Sequence, residues 1–194
     1  MEYLLTPGSQ KIEPFAWWEG AFTEEQLDWL QNKAKAASVE AEIGGQVHEG
    51  TVDSATRRSK VSWLEQNPKT KWVFEGLANA VIPLNAEYFR FSLTGFGEKL
   101  QLTNYHEDQQ GMYTWHQDFG AGLSRKLSLV LQLSDPKDYE GGELQLLTSK
   151  TPTCIEKKRG LITVFPAWTL HQVTPVIKGT RQTLVTWVSG EPFK

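Results

Sequence analysis

Leu127-Ser128-Leu129-Val130-Leu131-Gln132-Leu133 alternates leucine with smaller or polar residues over seven positions. Successive side chains of a β-strand point to opposite faces, so this spacing predicts a strand with four leucines on one side. The neighbouring sequence repeats the pattern. Asp135-Pro136 and Gly141-Gly142 bracket a loop before a strand expected at 143–147. Further strands are expected near 153–156, 161–165, 171–173 and 182–189. Seven or eight short strands after about residue 100 imply a sandwich or barrel of the jelly-roll type. Upstream, Thr23-Glu24-Glu25-Gln26 has the form of a capping box and opens a helix to about residue 38, with Leu27, Leu30 and Ala34 on one stripe. Pro68-Lys69-Thr70 introduces a second helix, with Trp72, Val73, Leu77 and Ala80 sharing a face, that Pro83 ends or kinks. The expected class is α+β, mainly β: one domain over 1–194, with a jelly-roll (double-stranded β-helix) core at 100–190 and buttressing helices within 1–99. The polar stretch 44–62 is expected as a surface loop, a hairpin or a lid over a pocket.

The bulk numbers exclude several classes. A chain of 194 residues supports one sizeable core, and a net charge of −3 gives no global field to attract nucleic acid. Cys154 is the sole cysteine, so no internal disulfide forms, as fits a reducing compartment. Met1-Glu2-Tyr3-Leu4-Leu5 lacks the basic start and apolar run of a signal peptide, and no stretch approaches the ~18 apolar residues of a membrane span. A cytoplasmic protein without a membrane partner is expected.

Chemistry concentrates in two segments, Tyr113-Thr114-Trp115-His116-Gln117-Asp118 and Pro166-Ala167-Trp168-Thr169-Leu170-His171. On a regular strand His116 and Asp118 share a face, and His171 arrives from another strand of the sandwich. Two imidazoles and one carboxylate form the facial triad of non-haem Fe(II), which leaves coordination positions open. A His-x-Asp pair by itself also fits a core imidazole hydrogen-bonded to a carboxylate. His48 and His106 lie in polar stretches and are expected in solvent. Arg181 either forms a structural ion pair with one of the 23 acidic residues or anchors an acidic cosubstrate through its planar fork. Trp187 lies on the same strand face as Arg181. Tyr105 and Tyr113 either donate to a ligand or pack.

Taken together, three ordered stretches resemble the prolyl 4-hydroxylase-like branch of the 2-oxoglutarate and Fe(II)-dependent dioxygenases. They are Tyr105 through Asp118, Leu131-Gln132-Leu133-Ser134 with Gly141-Gly142-Glu143-Leu144, and Phe165-Pro166-Ala167 with His171 through Arg181. The resemblance implies that His116, Asp118 and His171 are catalytic iron ligands, and that Arg181 pairs with the far carboxylate of 2-oxoglutarate. Tyr105 and Gln132 would assist in holding that cosubstrate. Arg125, Tyr113, Trp187 and Arg58 would contact substrate, with Arg57, Arg58 and Ser59 beginning a mobile substrate loop. The implied cofactors are Fe(II), 2-oxoglutarate and O2, with ascorbate as reductant. The implied activity, of the procollagen-proline 4-dioxygenase type, hydroxylates a prolyl residue in a peptide or protein. Hydroxylation of another side chain, a free amino acid or a small metabolite is the alternative, and a non-catalytic binding module the contrasting class.

Overall fold

A computed structural model describes residues 13–37, 39–43, 51–120 and 124–192. The amino-terminal stretch, residues 44–50 with His48, and position 38 at the expected helix end lie outside the described residues. Strand β1 (Ala16–Trp18) precedes helix α1 (Glu24–Lys35). Both halves of the capping box form: Thr23 Oγ1 accepts from Gln26 N–H at 3.3 Å, and Gln26 Oε1 accepts from Thr23 N–H at 2.9 Å. Short strands β2 (Val39–Glu40) and β3 (Arg57–Arg58) follow, then β4 (Lys60–Leu64) and α2 (Lys71–Leu84).

Pro83 does not end the second helix. It sits one residue before the helix terminus, where the hydrogen bond it cannot make would have gone to Asn79, an exposed residue. The chain continues into a π-turn, Asn85–Phe89, and leaves it at Arg90 with φ +58°. The remaining strands are β5 (Leu93–Gly95), β6 (Leu100–His106), β7 (Met112–His116), β8 (Arg125–Gln132), β9 (Tyr139–Gly141), β10 (Leu144–Leu146), β11 (Thr153–Cys154), β12 (Ile162–Pro166), β13 (His171–Val173) and β14 (Val176–Gly190).

Two antiparallel sheets form the expected jelly roll. The larger runs β1-β12-β8-β14-β6-β4-β2, with β5 and β9 also paired to β14, and the smaller runs β11-β10-β13-β7-β3. Both helices cover the outer face of the larger sheet. There Leu127, Leu129, Leu131 and Leu133 pack with Leu27, Leu30, Val73, Leu77 and Ala80, all at most 2% exposed. At about 2 kcal/mol for each buried large aliphatic side chain, this layer is the main source of stability. Every residue of β8 is buried, so its alternation does not separate core from solvent. It separates the leucine core from the space between the sheets, toward which Ser128, Val130 and Gln132 point.

The stretch expected as a loop, a hairpin or a lid contains strands of both sheets in its described part. Within it, Arg57–Arg58 pairs with β7 and Lys60–Leu64 pairs with β6, so the chain crosses from the smaller sheet to the larger within four residues. Arg57, Ser59 and Val61 are buried in alternation. Residues before 100 thus supply strands to both sheets as well as the helices. Among the described residues no helix is long and apolar enough to cross a membrane.

Candidate metal centre

The smaller sheet sets two of the three candidate ligands by register. In the β7–β13 pair His171 stands opposite His116, and their ring centroids are 4.1 Å apart. Asp118 lies just beyond the end of β7 rather than on a regular strand. The amides of Asp118 and Phe119 both donate to the carbonyl of Ala167, at 3.0 and 2.9 Å, and this fork turns the carboxylate toward the histidines. Asp118 Oδ1 is 3.9 Å from His116 Nε2, and Oδ2 is 3.5 Å from His171 Nε2. One ligand atom from each of the three residues falls within 4.8 Å of the others.

The hydrogen bonds behind these atoms define their protonation. His116 Nδ1 lies 2.7 Å from the Thr114 carbonyl, and His171 Nδ1 lies 2.9 Å from the Thr169 carbonyl. A carbonyl only accepts, so each Nδ1 carries the proton and each Nε2 presents a lone pair to the shared space. Burial is the largest cause that pushes His116 down to about 3, which keeps it a neutral donor. Burial works against ionisation of Asp118, yet its carboxyl lies below its ordinary value: a proton on either neighbouring imidazole would favour the anion, and the hydrogen bond from Ser128 does so directly. Trp187 Nε1, buried beside Asp118, also favours the anion without closing a well-aligned hydrogen bond. Two neutral imidazoles and one carboxylate converging from one side suit octahedral Fe(II) with free positions, whereas structural zinc favours a closed tetrahedral set rich in thiolate.

Ser128 Oγ donates to Asp118 Oδ2 at 2.6 Å and fixes the carboxylate from behind. Nothing in the sequence marked Ser128 except its place on the non-leucine face of β8. Outer partners of this kind are worth ~10- to 100-fold in metal affinity. Ser128→Ala is therefore expected to weaken Fe(II) or Mn(II) binding by that factor, as measured by anaerobic equilibrium titration.

A cavity of about 900 Å³ opens between the sheets and contains all three candidate ligands together with Tyr105, Tyr113, Arg125, Arg181 and Trp187. Tyr113 stacks on His116 at 3.4 Å between centroids, and the Arg57 guanidinium lies over the same Tyr113 ring, 4.7 Å from its centroid. Arg181 is 3% exposed and pairs in register with Tyr105. Its guanidinium lies 5.5 Å from the Tyr105 ring, and its positive charge acts on the neighbouring Tyr139 phenol, lowering it against the larger effect of burial. Among the described residues no carboxylate stands within ion-pair distance of Arg181, so the structural ion pair weighed from the sequence does not form there.

Three of the expected contact residues have hydrogen-bond partners within the protein. Arg125 reaches the cavity, but its guanidinium grips Glu98 with two nitrogens, donates to the Asp118 carbonyl at 3.2 Å and stacks 3.7 Å over Trp187. Its charge is thereby matched inside the protein. Arg58 does not line the cavity, because strand alternation turns it away and its guanidinium donates to the carbonyls of Ser54, Gln109 and Gln110. Arg57 takes the inward place. Gln132 lines not the large cavity but a much smaller one behind Arg181, where it donates to the Tyr139 hydroxyl at 3.0 Å. Tyr139 went unnoticed in the sequence, where Asp138-Tyr139-Glu140 reads as loop. His106 is half exposed and its Nδ1 accepts from the Asp108 amide, well apart from the metal site.

Comparison with known proteins agrees with this geometry. Residues 100–189 match the 2OG-Fe(II) oxygenase superfamily. A PKHD-type hydroxylase of Cupriavidus metallidurans is 30% identical over 178 residues, covering 88% of this chain and 73% of that protein. One from Prochlorococcus marinus is 34% identical over 136 residues, and the match spans 69% of this chain but only 57% of the relative's length. Among solved structures, a Pseudomonas putida prolyl-4-hydroxylase superposes with a TM-score of 0.70 at 17% identity, covering 92% of this chain and 94% of that one. A Trichoplax adhaerens prolyl hydroxylase, in complex with a hypoxia inducible factor peptide fragment, gives 0.75 at 14% identity, covering 91% and 84%. The structural matches share the fold; with the sequence matches and the convergent donor set, the chain belongs to the 2OG-Fe(II) oxygenase superfamily.

Proposed function

We propose that the chain is an Fe(II)- and 2-oxoglutarate-dependent dioxygenase that hydroxylates a prolyl residue in a peptide or protein. The observation that carries this reading is the pairing, in one cavity, of the His116–Asp118–His171 donor set with a buried Arg181 that has no carboxylate partner among the described residues. His116, Asp118 and His171 would hold Fe(II), and Arg181 the far carboxylate of 2-oxoglutarate. When bound, these groups supply oxygen activation coupled to oxidative decarboxylation of 2-oxoglutarate to succinate and CO2.

The protein's own residues supply position and shielding. The carbonyls of Thr114 and Thr169 hold the two imidazoles in the tautomer that leaves Nε2 free. Tyr113, Trp187 and the matched Arg125–Glu98 pair wall the reaction space and exclude water from it. The cavity extends from Arg181 to Val39 and Trp63, which are 62% and 43% exposed, so it opens at the edge of the larger sheet. A volume of about 900 Å³ lies near the upper limit for small-molecule pockets and leaves room for a peptide segment beside the cosubstrate. The names of the relatives and solved structures, hydroxylases and prolyl hydroxylases, support the same substrate class. Ascorbate would serve to keep iron ferrous, and a reducing cytoplasm suits both Fe(II) and the free thiol of Cys154.

The test is mass spectrometry of a mixed peptide panel incubated with Fe(II), ascorbate and 2-oxoglutarate. The expected result is a gain of one oxygen mapped to proline, with matching succinate. Oxygen mapped to another side chain, or only to free amino acids in a parallel mixture, would overturn the prolyl assignment and retain the oxygenase. Absence of 2-oxoglutarate-dependent oxygen transfer to any of these would count against the whole proposal.

A further inference from the structure

The smaller sheet ends at the two-residue strand β3, whereas the larger sheet continues through β6 and β4 to β2. The inner face of that continuation is an apolar shelf. Val39 stands opposite Val61 in the β2–β4 pair and shares its face, and Trp63 follows two residues later on the same face of β4. Val61 is buried, but Val39 and Trp63 are exposed, and all three line the outer part of the large cavity.

Register ties this shelf to the candidate metal centre. Trp63 stands opposite Gln101, Gln101 opposite Val185, and Val185 opposite Val130, which makes one row across β4, β6, β14 and β8. Trp187, beside Asp118, lies two residues past Val185 on the same face of β14. Trp63 is therefore two strands away from β14, about 10 Å at the usual strand spacing. An extended or polyproline chain advances about 3 Å per residue. A peptide with its proline beside Trp187 thus reaches Trp63 after about three or four residues.

The chemistry of the shelf selects its occupant. The buried Gln101 amide already donates to Thr103 Oγ1 at 2.9 Å. At the near rim Glu98 is paired with Arg125 and Lys99 with Glu65. At the outer end Glu40 and Glu42 are exposed, and among the described residues neither forms an ion pair, so an acidic occupant is repelled. A single exposed apolar side chain is ordinary, but here a rigid indole and an isopropyl group face one cavity, with no unmatched donor between them.

We propose that Trp63 and Val39 form a specificity subsite that takes an apolar, preferably aromatic, side chain about three or four residues from the target proline of the peptide substrate. This rests on the prolyl hydroxylase reading above.

The test uses the Fe(II)- and 2-oxoglutarate-loaded protein with alanine-based peptides that carry one central proline. Phenylalanine, serine or glutamate is placed singly at each position up to five residues to either side, and hydroxylation is followed by mass spectrometry. Phenylalanine should raise kcat/KM over serine by about tenfold at a position three or four residues from the proline on one side, the gain expected from partly burying an aromatic ring. Glutamate there should be worse than serine. Trp63→Ser and Val39→Ser should each abolish most of that preference and leave preferences at other positions as they were. No preference at that distance, or one that persists in both variants, would overturn the subsite. Variants that change the association state in analytical ultracentrifugation but not the preference would assign the shelf to a second copy, which also overturns it. Peptides that gain no oxygen at proline in any context would instead remove the prolyl reading itself. Val39 lies on a two-residue edge strand, so Val39→Ser carries the test should Trp63→Ser fold poorly.

Discussion

His171→Ala is expected to reduce 2-oxoglutarate-dependent succinate formation by ~10³-fold or more, equivalent to about 4 kcal/mol of barrier. His116→Ala should have a similar effect. Each histidine supplies an Nε2 lone pair that no neighbour can replace, because the other nitrogen is tied to a main-chain carbonyl. Removing His171 also deprives Asp118 of the nearer of its two imidazoles, 3.5 Å against 3.9 Å. The variant should nevertheless fold, because the leucine layer lies on the opposite face of the larger sheet from the metal site. Thermal melting without metal checks folding, and coupled succinate detection checks turnover. Activity within tenfold of wild type in either variant would remove that histidine from the ligand set.

Arg181→Ala carries the second large effect, and of a different kind. Truncating one partner of a buried, hydrogen-bonded charge pair costs about 3 kcal/mol, so the 2-oxoglutarate concentration needed for half-saturation should rise ~10²-fold. Metal affinity should hold, because Arg181 makes no hydrogen bond to His116, Asp118 or His171. Arg181→Lys should recover only part of the loss, since an ammonium keeps the charge without the planar fork. An unchanged 2-oxoglutarate requirement in Arg181→Ala would mean that another group holds the carboxylate.

Legibility in the sequence followed the range of the interactions involved. The strand at Leu127, the capped helix at Thr23 and the His116–Asp118–His171 set depend on local periodicity or on the chemistry of the side chains themselves, and all were visible. The jelly roll and its helical buttress followed from them. Residues 57–64 were not visible as strands, because Arg57, Arg58 and Lys60 read as a polar surface while Arg57 in fact faces an interior cavity. Glu98 stands 27 residues before the arginine it neutralises, and no spacing rule links them. Gln132 was read as assisting with the cosubstrate, and its side chain donates to Tyr139. The strand pattern placed Gln132 on the inward face, but no local pattern names Tyr139, seven residues on, as its partner.

The pairing of His171 with His116 bears on how the protein matures. Their strands are separated by the whole of β8 to β12, so the two imidazoles meet only after the chain has closed a long loop. A slip of one residue in that pair would turn His171 to the other face and dismantle the site. With the proposed ligand set, iron would be captured tightly only by molecules whose smaller sheet has closed in register, and it would then stabilise that state by mass action. Loading of the metal would act as a final proofreading step in folding, withholding function from any chain that has paired these strands wrongly.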